Sequence, residues 1–193
     1  MVNKESKSIV SSCDGRILQF GKILDKSILQ VKGKNTPIQA LLCNDKELVS
    51  IYKNGSFLTI YLSPKDYHRV HIPANGKLMK TLHAPGRLFS VADHAVESID
   101  NLYSKNERLV CHFKKEDNYF SVIFVGAINV SSIETQWKGE VSPPMPKKLI
   151  STKYGNKNIK FHKGDEIGMF KSGSTVILLF TENVELSNSL KIN

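Results

Sequence analysis

The sequence predicts a mainly β fold, an antiparallel barrel- or sandwich-like domain with one or two short helices, and three observations carry that prediction. Most apolar segments are short, rich in β-branched and aromatic residues, and broken by turn formers. Residues 107 to 113 and 119 to 126 flank the polar stretch from Lys114 to Asn118, the pattern of a hairpin with a longer loop. Only Asp93 to Tyr103 has helical spacing, with Val96, Ile99, Leu102 and Tyr103 on one face. At 193 residues, 40% of them hydrophobic, the chain is expected to form one domain, residues 1–193, around one sizeable core.

Taken in order, Asp14-Gly15 is a turn dipeptide, and Asn54-Gly55 is a hairpin signal followed by a strand through Phe57, Leu58, Ile60 and Leu62. Three prolines within Ser142-Pro143-Pro144-Met145-Pro146 remove backbone donors and fix φ, so this stretch is expected to be a surface loop. Residues 151 to 193 hold too few strands for a second domain and should complete the same sheet system. Within them, Gly173-Ser174-Thr175 forms a small turn that enters the apolar run Val176 to Phe180, expected to be a buried strand. No internal repeat argues for a solenoid or propeller.

The charge balance of 27 basic against 18 acidic residues, +9 overall, favours an anionic partner, either nucleic acid or an acidic membrane surface. A nucleic-acid-binding β module would carry interleaved aromatics as a stacking platform, and only Trp137 and scattered Tyr and Phe residues are present. Cys13, Cys43 and Cys111 are odd in number and widely spaced, which encodes neither a disulfide framework nor a zinc site and suits a reducing compartment. No apolar run reaches the ~18 to 20 residues of a membrane span, and Met1 to Ser8 has no apolar signal core, so membrane contact is expected to be peripheral.

Two places could carry chemistry. Tyr67-His68-Arg69-Val70-His71-Ile72-Pro73 holds two histidines three apart, which an extended strand would turn to opposite faces and a helical turn would bring together. On spacing alone, two structural or surface histidines are the simpler reading, and no carboxylate pattern nearby completes a metal site. At Gly173-Ser174 the alternatives are an ordinary turn into a core strand, or a serine placed to attack the unhindered glycine carbonyl while a histidine takes its proton.

The order of several segments adds to this. Asp14-Gly15-Arg16-Ile17, the His68/His71 segment, Pro85-Gly86-Arg87-Leu88-Phe89-Ser90-Val91, Asn106-Glu107-Arg108-Leu109-Val110, Val125-Gly126-Ala127, and Lys163-Gly164-Asp165-Glu166-Ile167-Gly168 leading to Gly173-Ser174-Thr175 together resemble the phosphatidylserine decarboxylase family. The resemblance runs from about Asp14 to Phe180. It implies a proenzyme that cuts itself between Gly173 and Ser174 into a β chain, 1–173, and an α chain, 174–193, leaving a pyruvoyl group where Ser174 stood. Asp14, His71 and Ser174 match the self-processing triad, with His71 as base and Asp14 orienting it, and His68 matches the histidine of the later decarboxylation. The implied cofactor is that pyruvoyl group, with no metal. Through a Schiff base to the amine of phosphatidylserine, its ketone draws off the electrons released with carbon dioxide, giving phosphatidylethanolamine.

The implied setting is peripheral, on the cytoplasmic, reducing face of an anionic membrane that holds the phosphatidylserine, with a homodimer allowed and no nucleic acid bound. Ser172, Ala92 and Ser131 depart from the family pattern, where leucine, asparagine and glycine are usual. Against that pattern the chain is expected to be trimmed at both ends, before the Asp-Gly motif and after Asn193. The alternatives are a truncated, unprocessed member without activity and a basic β nucleic-acid-binding module.

Overall fold

In chain order the elements are β1 (Arg16–Lys22), β2 (Ser27–Leu29), β3 (Asn35–Pro37), α1 (Ile38–Leu41), α2 (Lys46–Tyr52), β4 (Ser56–Leu62), β5 (Arg69–His71), β6 (Gly76–Ala84), α3 (Asp93–Ser98), α4 (Leu102–Lys105), β7 (Arg108–Lys115), β8 (Asn118–Val125), β9 (Ile133–Thr135), β10 (Gly139–Ser142), β11 (Ile150–Lys153), β12 (Lys160–Phe161), β13 (Glu166–Phe170) and β14 (Ser174–Phe180). The structure, a computed structural model, describes residues 5, 8–24, 27–29, 34–128, 132–171 and 173–187. Ser131, Ser172 and residues 188–193, the end of the expected α chain, lie outside the described residues.

Eight strands form one antiparallel sheet in the order β1-β4-β14-β8-β7-β6-β11, with β12 also paired to β6, and a second antiparallel sheet runs β10-β9-β13-β5. Alternation along β14 assigns its two faces. Val176, Leu178 and Phe180 pack into a cluster with Val70, Ile72, Ile133, Ile167 and Phe170 of the small sheet. Ile177 and Leu179 face the other way, into a cluster with Ile38, Leu41, Leu48, Tyr52, Val96, Leu102 and Tyr103 of the four helices. The large sheet is therefore the middle layer of three. That is why β14, paired on both sides and covered on both faces, is buried at all seven positions.

The expected mainly β, sandwich-like architecture is present, and several details differ. The barrel alternative fails, because the large sheet ends on the free edges β1 and β11. Its faces are already covered by separate layers, so closure would hide no further apolar surface. The predicted helix from Asp93 to Tyr103 is two helices, broken where Ile99 turns extended and Asn101 adopts a left-handed φ of 56°. With α1 and α2 that makes four short helices among the described residues. Asn54-Gly55 joins α2, not a strand, to β4, with Gly55 N–H bonded to Tyr52 O.

The β7–β8 hairpin is where the sequence places it. Its loop is shorter than expected, because Lys115 and Asn118 still pair and only Glu116 and Asp117 turn, with Glu116 at φ 51°. Val176 to Phe180 is the expected core strand, and the ladder begins earlier, at Ser174.

Candidate active site

Phe170 ends β13 in the small sheet and Ser174 begins β14 in the large one, so the chain changes layers between these two residues, at one end of the sandwich. Ser174 pairs with Leu62, while Thr175 pairs with Tyr61 and with Val125. A side chain at Gly173 would come within 3.2 Å of the Leu62 carbonyl and 3.3 Å of Pro64 Cδ, so the crossing is pressed against the end of β4. Ser174 has the parity of Val176 and thus faces the small sheet. Its Oγ is fully buried and makes no hydrogen bond, as is also true of Thr175 Oγ1. Burying a hydroxyl without a partner costs about 1–3 kcal/mol.

His68 lies across the interlayer space. Phe170 N–H donates to its carbonyl at 3.0 Å, which extends the β5–β13 pairing one step and puts His68 opposite a residue of the inner core. Its Nε2 is buried and also without a partner. Ser174 Oγ and His68 Nε2 are thus two unsatisfied polar atoms on facing inner surfaces at the same end.

His71 is held differently. Its neighbours Val70 and Ile72 are buried in the core, so the half-buried His71 ring takes the other face of β5. There it stacks on Tyr67, centroids 5.9 Å apart, and its Nδ1 lies 2.8 Å from the Gly164 carbonyl. Gly164 sits at φ 89°, a conformation that favours glycine, and this turn aims its carbonyl at the ring.

Asp14 reaches the same end by another route. His71 N–H donates to Ser12 O at 2.7 Å, and Gly15 presses so closely on β4 that a β-carbon there would lie 2.4 Å from Tyr61 O. Asp14 therefore flanks β4 on the side opposite Ser174. Its carboxylate is exposed and forms no hydrogen bond to either histidine among the described residues. Next to it the Cys13 thiol is pushed up to about 12, by burial first and then by the charges of Asp14 and Asp66, which makes it a poor nucleophile. The structure thus gathers Asp14, His68, His71 and Ser174 at one end of the sandwich, with no hydrogen bonds linking them as a triad.

Comparison with known proteins bears on this arrangement. The family described as "Phosphatidylserine decarboxylase" matches residues 1–193. The chain belongs to the phosphatidylserine decarboxylase family. Among its relatives, each called "Phosphatidylserine decarboxylase proenzyme", that of Methylococcus capsulatus is 46% identical over 179 residues, covering 93% of this chain and 62% of the relative. That of Francisella philomiragia is 47% identical over 184 residues, covering 94% and 64%. That of Haemophilus ducreyi is 42% identical over 194 residues, covering 98% and 65%. The chain therefore spans just under two thirds of the length of these curated relatives.

Within the phosphatidylserine decarboxylase frame, one departure from the usual pattern has a visible effect. Ala92 is the N-cap of α3 and offers no side-chain acceptor, where asparagine would. Gly164 stands in the Lys163-Gly164-Asp165 motif, but its hold on His71 spans 93 positions and has no local signal. Tyr67, which stacks on His71, is likewise unmarked by any local pattern. Among the described residues, no group of three His, Cys, Asp or Glu side chains is placed to hold a metal ion, and no helix is long and apolar enough to cross a membrane.

Proposed function

We propose that this chain is the catalytic domain, 1–193, of a self-processing phosphatidylserine decarboxylase that releases carbon dioxide and yields phosphatidylethanolamine. The observation that carries the reading is the buried, unpartnered Ser174 hydroxyl beside a glycine, facing the unpartnered His68 Nε2. Polar atoms left unsatisfied in a core are expensive, and reactive sites are where that expense is tolerated.

In maturation, Ser174 Oγ attacks the Gly173 carbonyl and His71, whose Nδ1 rests on the Gly164 carbonyl, takes the proton, with Asp14 given the orienting role by the family resemblance. The peptide C–N bond breaks and an ester joins the two segments. Loss of the Ser174 α-proton then breaks the Cβ–Oγ bond and frees the Gly173 carboxylate. Hydrolysis releases ammonia and leaves a pyruvoyl group heading the α chain, 174–193, apart from the β chain, 1–173. The unpartnered hydrogen-bonding sites around residue 174 suit such a small carbonyl group. When present it supplies an electron-accepting ketone. On the facing sheet His68 Nε2 is free of any partner, and His68 delivers the proton that replaces the lost carboxylate.

The substrate is a bilayer lipid, so the protein works peripherally on an anionic membrane, on its cytoplasmic side, as a homodimer or alone, and without nucleic acid. Intact-mass measurement with a denaturing gel tests the proposal. Two chains split after Gly173, together with release of carbon dioxide from phosphatidylserine, are expected. An uncut, inactive chain would favour the unprocessed-member alternative.

A further inference from the structure

Three large apolar side chains stand in water near the Ser174 end: Phe89 at 37% exposure, Tyr67 at 48% and Ile128 at 59%. Two of them are tied to one buried amide. Asn106 is fully buried; its Nδ2 donates to Phe89 O and to Gly126 O, each at 2.8 Å, and its Oδ1 accepts from Phe89 N–H at 3.1 Å. Gly126 follows Val125, the ladder partner of Thr175, and Ile128 is two residues further on. Phe89 and the Gly126 carbonyl two residues before Ile128 are therefore fixed to the core within a few residues of β14. Tyr67 rises on the β4–β5 loop, whose Pro64 packs near Gly173.

Cations accompany these residues. Arg87, two residues before Phe89, is exposed, and its N–H is bonded to Lys105 O at 2.8 Å. Lys65, beside Pro64, is exposed as well. Among the described residues neither Arg87 nor Lys65 has an ion-pair partner. Exposed apolar tips with unpaired cations close by in sequence match the boundary where lipid headgroups meet acyl chains, since the tips gain by leaving water and the cations gain beside anionic headgroups.

We infer that Phe89 and Ile128, flanked by Tyr67, Arg87 and Lys65, form the face by which this domain docks on an anionic phospholipid bilayer. The inference rests on the decarboxylase reading for its occupant and adds the residues that seat the domain. Docking on this face would bring the Ser174 end of the sandwich to the headgroup layer, so that the substrate need not leave the bilayer completely.

The test uses the full chain with phosphatidylcholine vesicles, with and without phosphatidylserine. Phe89→Asp and Ile128→Asp should each lower sedimentation with phosphatidylserine vesicles by roughly tenfold or more, the worth of one large apolar side chain. Thermal melting and splitting after Gly173 should not change, because both side chains are exposed. Arg87→Glu should weaken binding roughly fivefold at low salt and little at high salt. Unaltered vesicle binding by the double aspartate variant, or no binding by the unmodified protein, would overturn the inference. So would a dimer that the double variant loses while keeping its vesicle binding, since a second copy would then be the occupant. Carbon dioxide release from short-chain, monomeric phosphatidylserine is measured in parallel. Its absence removes the decarboxylase reading, while the sedimentation result still decides the docking face.

Discussion

The two ends of the large sheet treat buried polar groups in opposite ways. At the end remote from Ser174, Tyr52 OH lies 2.9 Å from both His112 Nδ1 and Ser121 Oγ, in a closed triad of buried groups. The same end holds Lys80 against Asp45, and Asp45 also caps α2 by accepting from Leu48 N–H. At the Ser174 end, Ser174 Oγ, Thr175 Oγ1 and His68 Nε2 are buried with no partner, and α3 begins without a side-chain cap. Serines and histidines occur at both ends, so residue type does not distinguish them. Hydrogen-bond satisfaction does: the remote cluster stabilises the fold, and the near one leaves its bonding capacity unused, as the proposed reaction requires.

The largest effect that could break this contrast comes from exchanging the two serines' roles. Ser174→Ala should abolish splitting, leaving one chain by mass, whereas Ser121→Ala should split normally and lose about 1 kcal/mol of stability in denaturant titration. Normal splitting of Ser174→Ala would end the contrast. The histidines sharpen it next. His71→Ala should remain uncut, while His68→Ala should split and then release carbon dioxide roughly a hundredfold more slowly, the usual worth of a positioned proton donor. Equal arrest of both variants would mean that the two rings share one role.

A third, smaller effect belongs to the remote end. Burial, and then the nearby Lys80 charge, lowers His112 from 6.5 to about 4. The folded state thus holds this ring neutral, and the unfolded chain binds the extra proton first. The stability it contributes is complete above pH 6.5 and drains away as pH falls towards 4, by at most about 3 kcal/mol. Urea titrations across that window should show this slope, and His112→Gln should flatten it; an unchanged slope in the variant would assign it elsewhere. The smallest effect is at α3, where Ala92→Asn should raise stability by about 1 kcal/mol without altering the split. A loss of splitting there would show that the uncapped helix end is part of the reactive region.

Much of the fold was legible because alternation and turn residues are local signals. Val176 to Phe180 and the two arms of the β7–β8 hairpin follow directly from apolar runs beside Gly173 and around Glu116-Asp117. The helix from Asp93 was half legible: its apolar spacing is real, but the left-handed Asn101 that breaks it is a backbone choice the spacing does not encode. Closure of the sheet was not legible, because it depends on which layers cover each face, a long-range property. Asp14, His68, His71 and Ser174 were named from an ordered set of motifs. Their placement on opposite faces of β5, with His68 inward and His71 on Gly164, follows from strand alternation and from a contact 93 positions away in sequence.

The position of β14 has a consequence for how the cut protein would behave. All seven of its residues are laddered to β4 on one side and six of them to β8 on the other, with helices and the small sheet covering its faces. Once the bond before Ser174 is gone, the segment that follows is a separate polypeptide threaded through the middle of its partner. It cannot diffuse off without opening the sheet. Unfolding would release two molecules where synthesis made one, and renaturation would become a second-order encounter that slows on dilution. Such a cut would therefore turn a reversible fold into a kinetically locked one: the intact chain could refold alone, and the cut pair would depend on never having come apart.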